Sequence, residues 1–200
     1  MKKIMQAIAV GVAFLVFCGF GYPLLVLGIG QLALPAKANG SLVTVGGKVV
    51  GSELIGQDFK DPRFFHGRVS AVHYNTFAPD TPASRLVPGS GSTNLAPSNP
   101  DLQKRIRSDV DAFLQAHPGM TEKDLPADLF TSSYSGLDPD ITPADAAVQV
   151  DGIVKATGLS RAAVEQAVKD STAGPDLGVF GTARVNVLKA NLAIYRLLQP

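Results

Sequence analysis

The feature that most constrains the fold is a long uncharged stretch, Ile4 to Ala36, which reads IMQAIAVGVAFLVFCGFGYPLLVLGIGQLALPA. Only Gln6 and Gln31 seriously interrupt its apolar character. The part from Ile4 to Gly30 would form a helix about 40 Å long, against a bilayer hydrocarbon core of about 30 Å. The stretch therefore predicts a membrane-spanning helix. Pro23 and the glycines within it could kink this helix or let another helix approach closely.

A cleaved secretory signal peptide is the alternative interpretation of this stretch. Lys2 and Lys3 form a basic start, and Ala36-Lys37-Ala38 has the small-x-small form of a cleavage site. Signal peptides, however, carry apolar cores of only about 7 to 15 residues, and this core is roughly twice as long. A retained anchor is favoured for that reason.

The basic residues at the N-terminus also predict an orientation. Lysines close to a span tend to stay in the cytoplasm, so Lys2 and Lys3 predict a cytoplasmic N-terminus. We therefore expect residues 1–36 to be an anchor with a short cytoplasmic start. Residues 37–200 are expected to form one extracytoplasmic soluble domain.

Charge and cysteine usage bound what the outer domain can do. The single cysteine, Cys18, lies within the span, so the domain has no disulfide and depends on its own core. From Asn39 onward the chain contains 15 Lys and Arg and 17 Asp and Glu, a net charge of −2. A nucleic-acid partner would require a basic face, so this balance argues against one.

Turn and capping signals predict the secondary structure of the outer domain. SLVTVGGKVVG predicts a hairpin around Gly46-Gly47, and residues 51–68 are expected to be irregular with a short strand or helix. The apolar spacing after Pro100 predicts a helix that Asn99 caps. It should stop at His117-Pro118-Gly119.

Further helices follow in the second half of the chain. One is expected to start at Thr142-Pro143 and end at Gly158, and Ser160 can cap the next. Residues 185–198 predict a last apolar helix, although Val185-Asn186-Val187 could begin as a strand. The predicted fold class is α+β: one N-terminal transmembrane helix, then a domain with several helices and a small sheet.

Motifs for catalysis or metal binding are weak throughout. His66, His73 and His117 lie apart, without an HExxH motif or a cysteine pair. The Gly46-Gly47-Lys48 run is followed by valine rather than by the Ser or Thr of a phosphate-binding loop, and no G-x-S-x-G elbow is present. The aspartates of SGLDPDITPAD lack EF-hand spacing and are explained by a turn and a helix cap. We therefore predict no catalytic residue and no metal site.

Five segments together resemble one protein family. In chain order they are GSELIGQDF (51–59), FFHGRVSA (64–71), GSTNLAPSNPDL (91–102), SGLDPDITPADAAVQV (135–150) and GTARVNVLKANLAI (181–194). Their order and spacing, with the single N-terminal span, resemble the C subunit of the Kdp potassium-transporting P-type ATPase (the KdpC family). Five motifs in order over nearly the whole chain are far more specific than any one of them.

The resemblance implies a non-catalytic accessory subunit of a high-affinity potassium uptake complex in the bacterial inner membrane. The implied partners are a potassium-translocating subunit, an ATP-hydrolysing P-type subunit and a small single-span subunit. The complex uses ATP, magnesium and potassium, but no cofactor is expected to bind this chain directly. The implied role is to stabilise assembly and to raise the ATP affinity of the hydrolysing subunit, as a catalytic chaperone.

The predicted topology conflicts with direct contact to ATP. Nucleotide is cytoplasmic, whereas only the few residues before Ile4 should reach that side. An effect on ATP affinity would have to pass through the membrane helices as a coupling free energy. We therefore expect the outer domain to cap the extracellular potassium entrance and the span to pack against the translocating subunit.

Nine residues within or near the family motifs are candidates for facing a partner or an ion. They are Gln57, Arg68, Ser92, Asn94, Ser98, Asn99, Ser135, Asp138 and Asn186. Four of them lie in or at the end of the uncharged loop GSGSTNLAPSNP (89–100), whose hydroxyl and carbonyl oxygens suit partner contacts or a transient cation path. The alternative is a structural turn that satisfies its own backbone groups.

The chain departs from the expected family pattern at three positions. Val69 stands where proline is expected, Ala96 where glycine is expected and Asp140 where histidine is expected. A histidine would titrate differently from a carboxylate, so no family role is carried over to Asp140. The alternative function is an anchored or secreted extracytoplasmic binding or hydrolytic domain, which a cleaved N-terminus would favour.

Overall fold

A computed structural model describes residues 1–82 and 87–199. The chain divides into two compact units, Met1–Val50 and Gly51–Pro200. The first unit is mostly helical, and the second combines helices with a small antiparallel sheet. The predicted α+β class is confirmed.

One long apolar helix dominates the first unit. It comprises α1 (Lys2–Val16), a π-helical turn (Phe17–Gly21) and α2 (Tyr22–Ala33). This run of 32 residues has a mean hydropathy of 2.3, and among the described residues it is the one helix long and apolar enough to cross a membrane. At 1.5 Å per residue it is about 48 Å long. A short helix, α3 (Pro35–Ala38), follows.

The π-helical turn lies directly before Pro23. Proline has no backbone N–H and its ring clashes with the carbonyl four residues earlier, which here belongs to Gly19. In the structure the N–H of Tyr22 bonds to the carbonyl of Phe17, five residues back. One widened turn thus accommodates the proline without ending the helix, in the way that π-bulges do.

The hairpin predicted around Gly46-Gly47 is present. Its strands are β1 (Leu42–Val45) and β2 (Lys48–Ser52), which form a two-stranded sheet. Gly46 and Gly47 have φ of 57° and 79°. A two-residue type I′ turn needs positive φ at both central positions, which glycine adopts without strain. Beyond β2, residues 53–72 are irregular apart from an isolated bridge between Ser52 and Ile55.

The predicted helix caps are confirmed. Helix α4 (Pro100–Ala116) begins after Asn99, whose side chain accepts a hydrogen bond from Asp101 N at 2.9 Å, and ends at His117. Helix α5 (Pro143–Thr157) is capped by Thr142 and ends at Gly158, which has φ of 73°. Helix α6 (Arg161–Asp170) is capped by Ser160. Each cap oxygen satisfies a first-turn N–H that has no partner inside the helix.

A three-stranded antiparallel sheet closes the second unit. Its strands are β3 (Asp140–Ile141), β4 (Thr172–Ala173) and β5 (Arg184–Asn186), in the order β3-β5-β4. The register pairs Val185 of β5 with Ile141 on one side and Thr172 on the other. The last helix, α7 (Val187–Leu197), starts two residues later than Val185, because β5 occupies those residues and Asn186 caps the helix.

The core of the second unit lies between this sheet and helices α5, α6 and α7. Its most buried side chains include Ile153, Val164, Val185 and Ile194, joined by Phe65 from the irregular segment after β2. Each such side chain contributes roughly 1.5–3 kcal/mol by leaving water. Phe65 therefore anchors a stretch of chain that has no secondary structure of its own.

Candidate functional site

Residues 133–140 form the centre of the candidate site. Three separate loops bond to the backbone carbonyls of this segment. The bonds run from Gly56 N to Leu137 O (2.8 Å), from Ser70 Oγ to Gly136 O (2.6 Å) and from Gly91 N to Ser135 O (2.8 Å). We call residues 53–57, 68–74, 89–92 and 133–140 together the loop junction.

Two glycines allow the backbone segments of the loop junction to approach one another closely. Gly136 has φ of 68°, and a Cβ there would lie 2.7 Å from Val72 Cγ2 and 2.8 Å from Gly91 O. A Cβ on Gly56 would lie 2.4 Å from Asp138 O. Both glycines are thus required by close backbone approach, and Gly136 by its conformation as well.

Arg68 and Asp138 make a direct ion pair inside the loop junction. Arg68 Nη1 lies 3.2 Å from Asp138 Oδ2, and both side chains are about one quarter exposed. Arg68 Nη2 also donates to Thr131, at 3.3 Å to the hydroxyl. The Nε of Arg68 is buried and has no partner in the described parts of the chain. This guanidinium therefore holds residues 68 and 131–138 together.

Tyr74 connects the same arginine to the neighbouring turn. Its hydroxyl donates to Arg68 O at 2.5 Å. Burial raises the pKa of Tyr74 to about 12, and the negative charge of Asp138 adds to the effect. The tyrosine is therefore a neutral hydrogen-bond donor at physiological pH.

Hydrogen bonds fix the backbone of the loop 89–100 near both of its ends. Gly89 N donates to Asn75 Oδ1 at 3.0 Å, and Ser90 Oγ donates to Ser135 O at 2.9 Å. At the other end, Asn99 N donates to Ala96 O at 2.8 Å. Between these ends, residues 93–98 are exposed. The loop is thus an ordered surface rather than a slack linker.

Ser92 and Asn94 form a small turn within this loop. Asn94 N donates to Ser92 Oγ at 3.4 Å, and Asn94 has φ of 51°. Asparagine tolerates this left-handed conformation better than most residues because its side chain can bond locally. The turn directs Asn94 to solvent, where it is exposed.

Asn186 joins the sheet to the loop junction. Its Nδ2 donates to Glu53 O at 2.9 Å and to Asp140 Oδ1 at 3.1 Å, while its Oδ1 accepts from Lys189 N. Asp140 also pairs with Arg184, 3.5 Å away. Burial raises the pKa of Asp140, against the hydrogen bond from Asn186.

The structure brings some of the predicted site residues together and separates others. Arg68, Ser135 and Asp138 lie in the loop junction, with Ser92 beside Gly91. Gln57 lies there as well, half-buried. Asn94, Ser98 and Asn99 extend along the loop towards the start of α4. The loop junction thus brings five of the nine candidates together, Asn186 bonds to it through Glu53 O, and the other three lie along the loop outside it.

Sequence reasoning missed a buried polar network next to the loop junction. Gln149 accepts from His66 N at 2.8 Å and donates to Asp145 Oδ1 at 2.8 Å. Asn191 accepts from Phe65 N at 2.7 Å and donates to Phe65 O at 2.9 Å. The available signal was polar residues in the middle of apolar helix faces, since Asp145 and Gln149 are four positions apart on α5.

An apolar cleft lies beside α4. Its volume is about 840 Å³, and it is lined by faces of α4 and α5 together with Phe64 and Phe130. Phe113 stacks on His117 with ring centroids 4.0 Å apart and meets Phe130 edge-on at 5.9 Å. Within the described residues, no group of three or more His, Cys, Asp or Glu side chains is placed to hold a metal ion.

Replacing Asn99 with alanine is expected to lower the free energy of unfolding by about 1 kcal/mol, because the Asp101 N–H loses its cap. Asn99→Asp is the matched control and should change it by less than about 0.5 kcal/mol, because aspartate caps equally well. Guanidinium unfolding of the full-length protein in detergent, followed by circular dichroism, measures both. Equal losses in the two variants would contradict the capping role.

Comparison with known proteins identifies the family. The family model for KdpC, described as "K+-transporting ATPase, c chain", matches residues 4–196. A relative from Clostridium kluyveri, named potassium-transporting ATPase KdpC subunit, is 52% identical over 195 residues, which cover 96% of this chain and 93% of that protein. The chain belongs to the KdpC family.

Other KdpC relatives match over similar lengths. A protein of the same name from Clostridioides difficile is 45% identical over 205 residues, covering 99% of both chains. One from Bacillus anthracis is 46% identical over 187 residues, covering 93% of this chain and 91% of that protein. The family resemblance seen in the sequence is thus confirmed. Four of the five segments that carried it meet at the loop junction, through the hydrogen bonds from Gly56, Ser70 and Gly91 to residues 135–137.

Proposed function

We propose that this chain is a non-catalytic accessory subunit of an ATP-driven potassium uptake complex. The observation that carries the proposal is membership of the KdpC family over residues 4–196, a family described by the c chain of a K+-transporting ATPase. The long apolar helix Lys2–Ala33 is consistent with a single-pass protein of the inner membrane. The partners are a potassium-translocating subunit, an ATP-hydrolysing subunit and a small single-span subunit.

The proposed topology places the N-terminus in the cytoplasm. Lys2 and Lys3 precede the span directly, and basic residues next to a span are retained on the cytoplasmic side. Residues 1–36 then anchor the chain, and residues 37–200 lie on the outer side of the membrane. The absence of cysteine after Cys18 means that this outer part relies on its hydrophobic core in an oxidising compartment.

The loop junction and the loop beyond it are the proposed contact with the potassium entrance. The loop is held at both ends and exposes uncharged polar groups between them. A preordered loop loses less conformational entropy on binding than a slack one. Its hydroxyl and amide oxygens are also hard donors, which suit a surface that lies over the path of a potassium ion.

The proposed effect on ATP affinity acts from a distance. A domain on the outer side cannot touch cytoplasmic nucleotide, so the chain raises ATP affinity by stabilising one state of the assembled membrane helices. Such a coupling is reciprocal: the factor by which potassium occupancy changes ATP affinity equals the factor by which ATP changes potassium affinity. Loss of the chain should therefore weaken ATP binding to the complex.

Purification of the tagged full-length chain from detergent-solubilised membranes tests the proposal. Mass spectrometry should find a P-type ATPase and a potassium-translocating subunit with the chain, and an intact N-terminus that starts at Met1. A monomer that begins at Asn39 and has no membrane partner would instead support a secreted binding or hydrolytic domain.

Cysteine labelling tests the orientation separately. In a Cys18→Ser background, single cysteines at position 98 (Ser98→Cys) and directly after Met1 are treated with a membrane-impermeant maleimide in intact spheroplasts. The position 98 cysteine should react at once, because it is exposed, and the N-terminal one only after permeabilisation. The reverse pattern would overturn the topology and leave the family assignment intact.

A further inference from the structure

The loop between β4 and β5 has an unusually apolar exposed surface. Every residue from Thr172 to Ala183 is exposed, and Asp176 is the single charged residue among them. The side chains of Leu177, Val179 and Phe180, which we call the apolar tip, are 90%, 74% and 64% exposed. Scattered exposed apolar residues are ordinary, but neighbours on one turn form a patch of the kind that marks an interaction site.

Hydrogen bonds hold the apolar tip in one shape. The N–H of Asp176 donates to Phe180 O at 2.8 Å, and the N–H of Phe180 donates to Asp176 O at 3.0 Å. Leu177 has φ of 53° and Gly178 has φ of 77°. Positive φ is uncommon for leucine, and strained backbone of this kind clusters at functional sites. The tip is thus preordered for binding, which reduces the entropy lost when a partner covers it.

Arg184 connects the apolar tip to the loop junction. Its Nη2 lies 3.3 Å from Asp176 Oδ1, and its Nε lies 3.5 Å from Asp140 Oδ2. Asp140 belongs to the loop junction, so one guanidinium positions the two surfaces relative to each other. The Asp176 side chain stays 72% exposed, and its carboxylate can accept further hydrogen bonds from a partner.

Two kinds of surface could cover such a tip, a bilayer interface or a recess in another protein, and the charged and aromatic residues of the loop distinguish between them. Segments that enter a bilayer interface combine apolar side chains with Lys, Arg, Trp or Tyr. No such residue occurs between Asp170 and Arg184, and the charge within the loop is acidic. The loop therefore offers a bilayer interface no basic or Trp/Tyr anchor, whereas the exposed Asp176 carboxylate, which Arg184 contacts on one side, can accept a second basic partner from the rim of a protein recess.

We propose that the apolar tip inserts into an apolar recess with a basic rim on the outer surface of an integral-membrane partner subunit. Leu177 and Phe180 fill the recess, and Asp176 faces the basic rim. This inference rests on the proposed function, because it requires a partner on the same side of the membrane. It gives the outer domain an anchoring contact of its own, distinct from the polar loop 89–100.

Photo-crosslinking in the assembled complex tests the contact. The full-length chain carries p-benzoylphenylalanine in place of Phe180, with Glu165 on α6 as the control position. The expected result is a crosslink from position 180, and none from position 165, to a membrane subunit that co-purifies with the chain. Co-purification without a crosslink from position 180 would overturn the tip contact but not the proposed function. Failure to co-purify any partner would overturn both.

Substitutions give a second, independent test. Leu177→Gly removes a tip side chain while relieving the positive φ, and Phe180→Ser removes a side chain that is mostly exposed, so both variants should fold. The double variant should reduce recovery of the partner subunits at least tenfold. Leu197→Ser, at a 49% exposed site at the end of α7 and outside the loop junction, is the control and should leave recovery unchanged.

A vesicle assay tests whether the apolar tip enters a bilayer rather than a protein recess. A Val179→Cys variant in the Cys18→Ser background carries a fluorophore at position 179. The chain is purified in detergent and reconstituted with excess preformed vesicles of phosphatidylethanolamine and phosphatidylglycerol. The measurement is whether a quencher attached to the lipid reduces the fluorescence. No quenching is expected. Strong quenching that Phe180→Ser abolishes would overturn the proposal in favour of membrane insertion. Recovery of partners by the double variant at the unsubstituted level would overturn it as well.

Discussion

Replacing Asn191 with leucine is expected to lower the free energy of unfolding by about 3 kcal/mol. Asn191 is 3% exposed, and its amide bonds to both the N–H and the carbonyl of Phe65, which is fully buried. A buried backbone group left without a partner costs about 1–3 kcal/mol, and this change leaves two of them. Burial of the leucine side chain offsets part of that cost.

A matched control separates this effect from a general cost of removing an amide. Gln166 on α6 is exposed and bonds only through its side chain to Asp170 on the same helix. Gln166→Leu should therefore change stability by less than about 0.5 kcal/mol. Guanidinium unfolding of both full-length variants in detergent, monitored by circular dichroism, gives the comparison. A loss below about 1 kcal/mol for Asn191→Leu would show that Phe65 is held by its side chain alone.

The same residue shows where sequence reasoning reaches its limit. Asn99, Thr142 and Ser160 cap their helices through bonds to residues two or three positions away, so local rules predict these helix starts. Asn191 instead supports Phe65, which lies 126 residues earlier. No periodic pattern contains that relationship, because it exists only after the chain has folded. The sequence therefore predicts the segment after β2 only as irregular with a short strand or helix, without the contacts that order it.

The short strands show a second limit. Strands β3 and β4 have two residues each, which is too few for an alternating pattern. They are strands because β5 lies between them and supplies their hydrogen bonds. The start of α7 illustrates the same point. The apolar run from Val185 fits a helix, but its first two residues belong to β5, so the helix begins at Val187.

The candidate site was predictable as segments but not as an arrangement. The family resemblance pointed to Arg68, Ser135 and Asp138, yet nothing local to the sequence shows that Arg68 pairs with Asp138 across 70 positions. The close approach at Gly56 and Gly136 is equally invisible in one sequence, because a glycine signals a turn as readily as a tight contact. The loop junction follows from these long-range contacts, whereas the shape of the loop 89–100 follows partly from its own turn residues.

Neutralising Asp145 is expected to remove a large pH dependence of stability. The Asp145 side chain is fully buried, and its Oδ2 has no partner among the described residues. Burial raises the pKa of this carboxyl group from 3.8 to about 7; the nearby charge of Asp128 raises it further, and the hydrogen bond from Gln149 acts in the opposite direction. The folded state thus holds a proton that the unfolded chain releases near pH 4.

The sign of the effect follows from this difference in bound protons. Below pH 3.8 both states are protonated and the group has no effect, whereas between 3.8 and about 7 the unfolded state alone is ionised. Each rise of one pH unit in that window lowers the free energy of unfolding by about 1.4 kcal/mol, on the order of 4 kcal/mol in total. Above pH 7 both states are ionised and the loss stays constant.

Asp145→Asn provides the test, because asparagine resembles the protonated carboxyl group and does not titrate. The variant should match the unsubstituted protein near pH 4 and exceed its stability increasingly up to about pH 7, in guanidinium unfolding of both full-length proteins in detergent. The contribution of Asp145 thus makes the second unit more stable as the pH falls from about 7 towards 4. Parallel stability curves for the two proteins between pH 4 and pH 8 would contradict the raised pKa of Asp145. They would show that its carboxylate is solvated or paired in the folded state, which requires a water or a cation beside Oδ2.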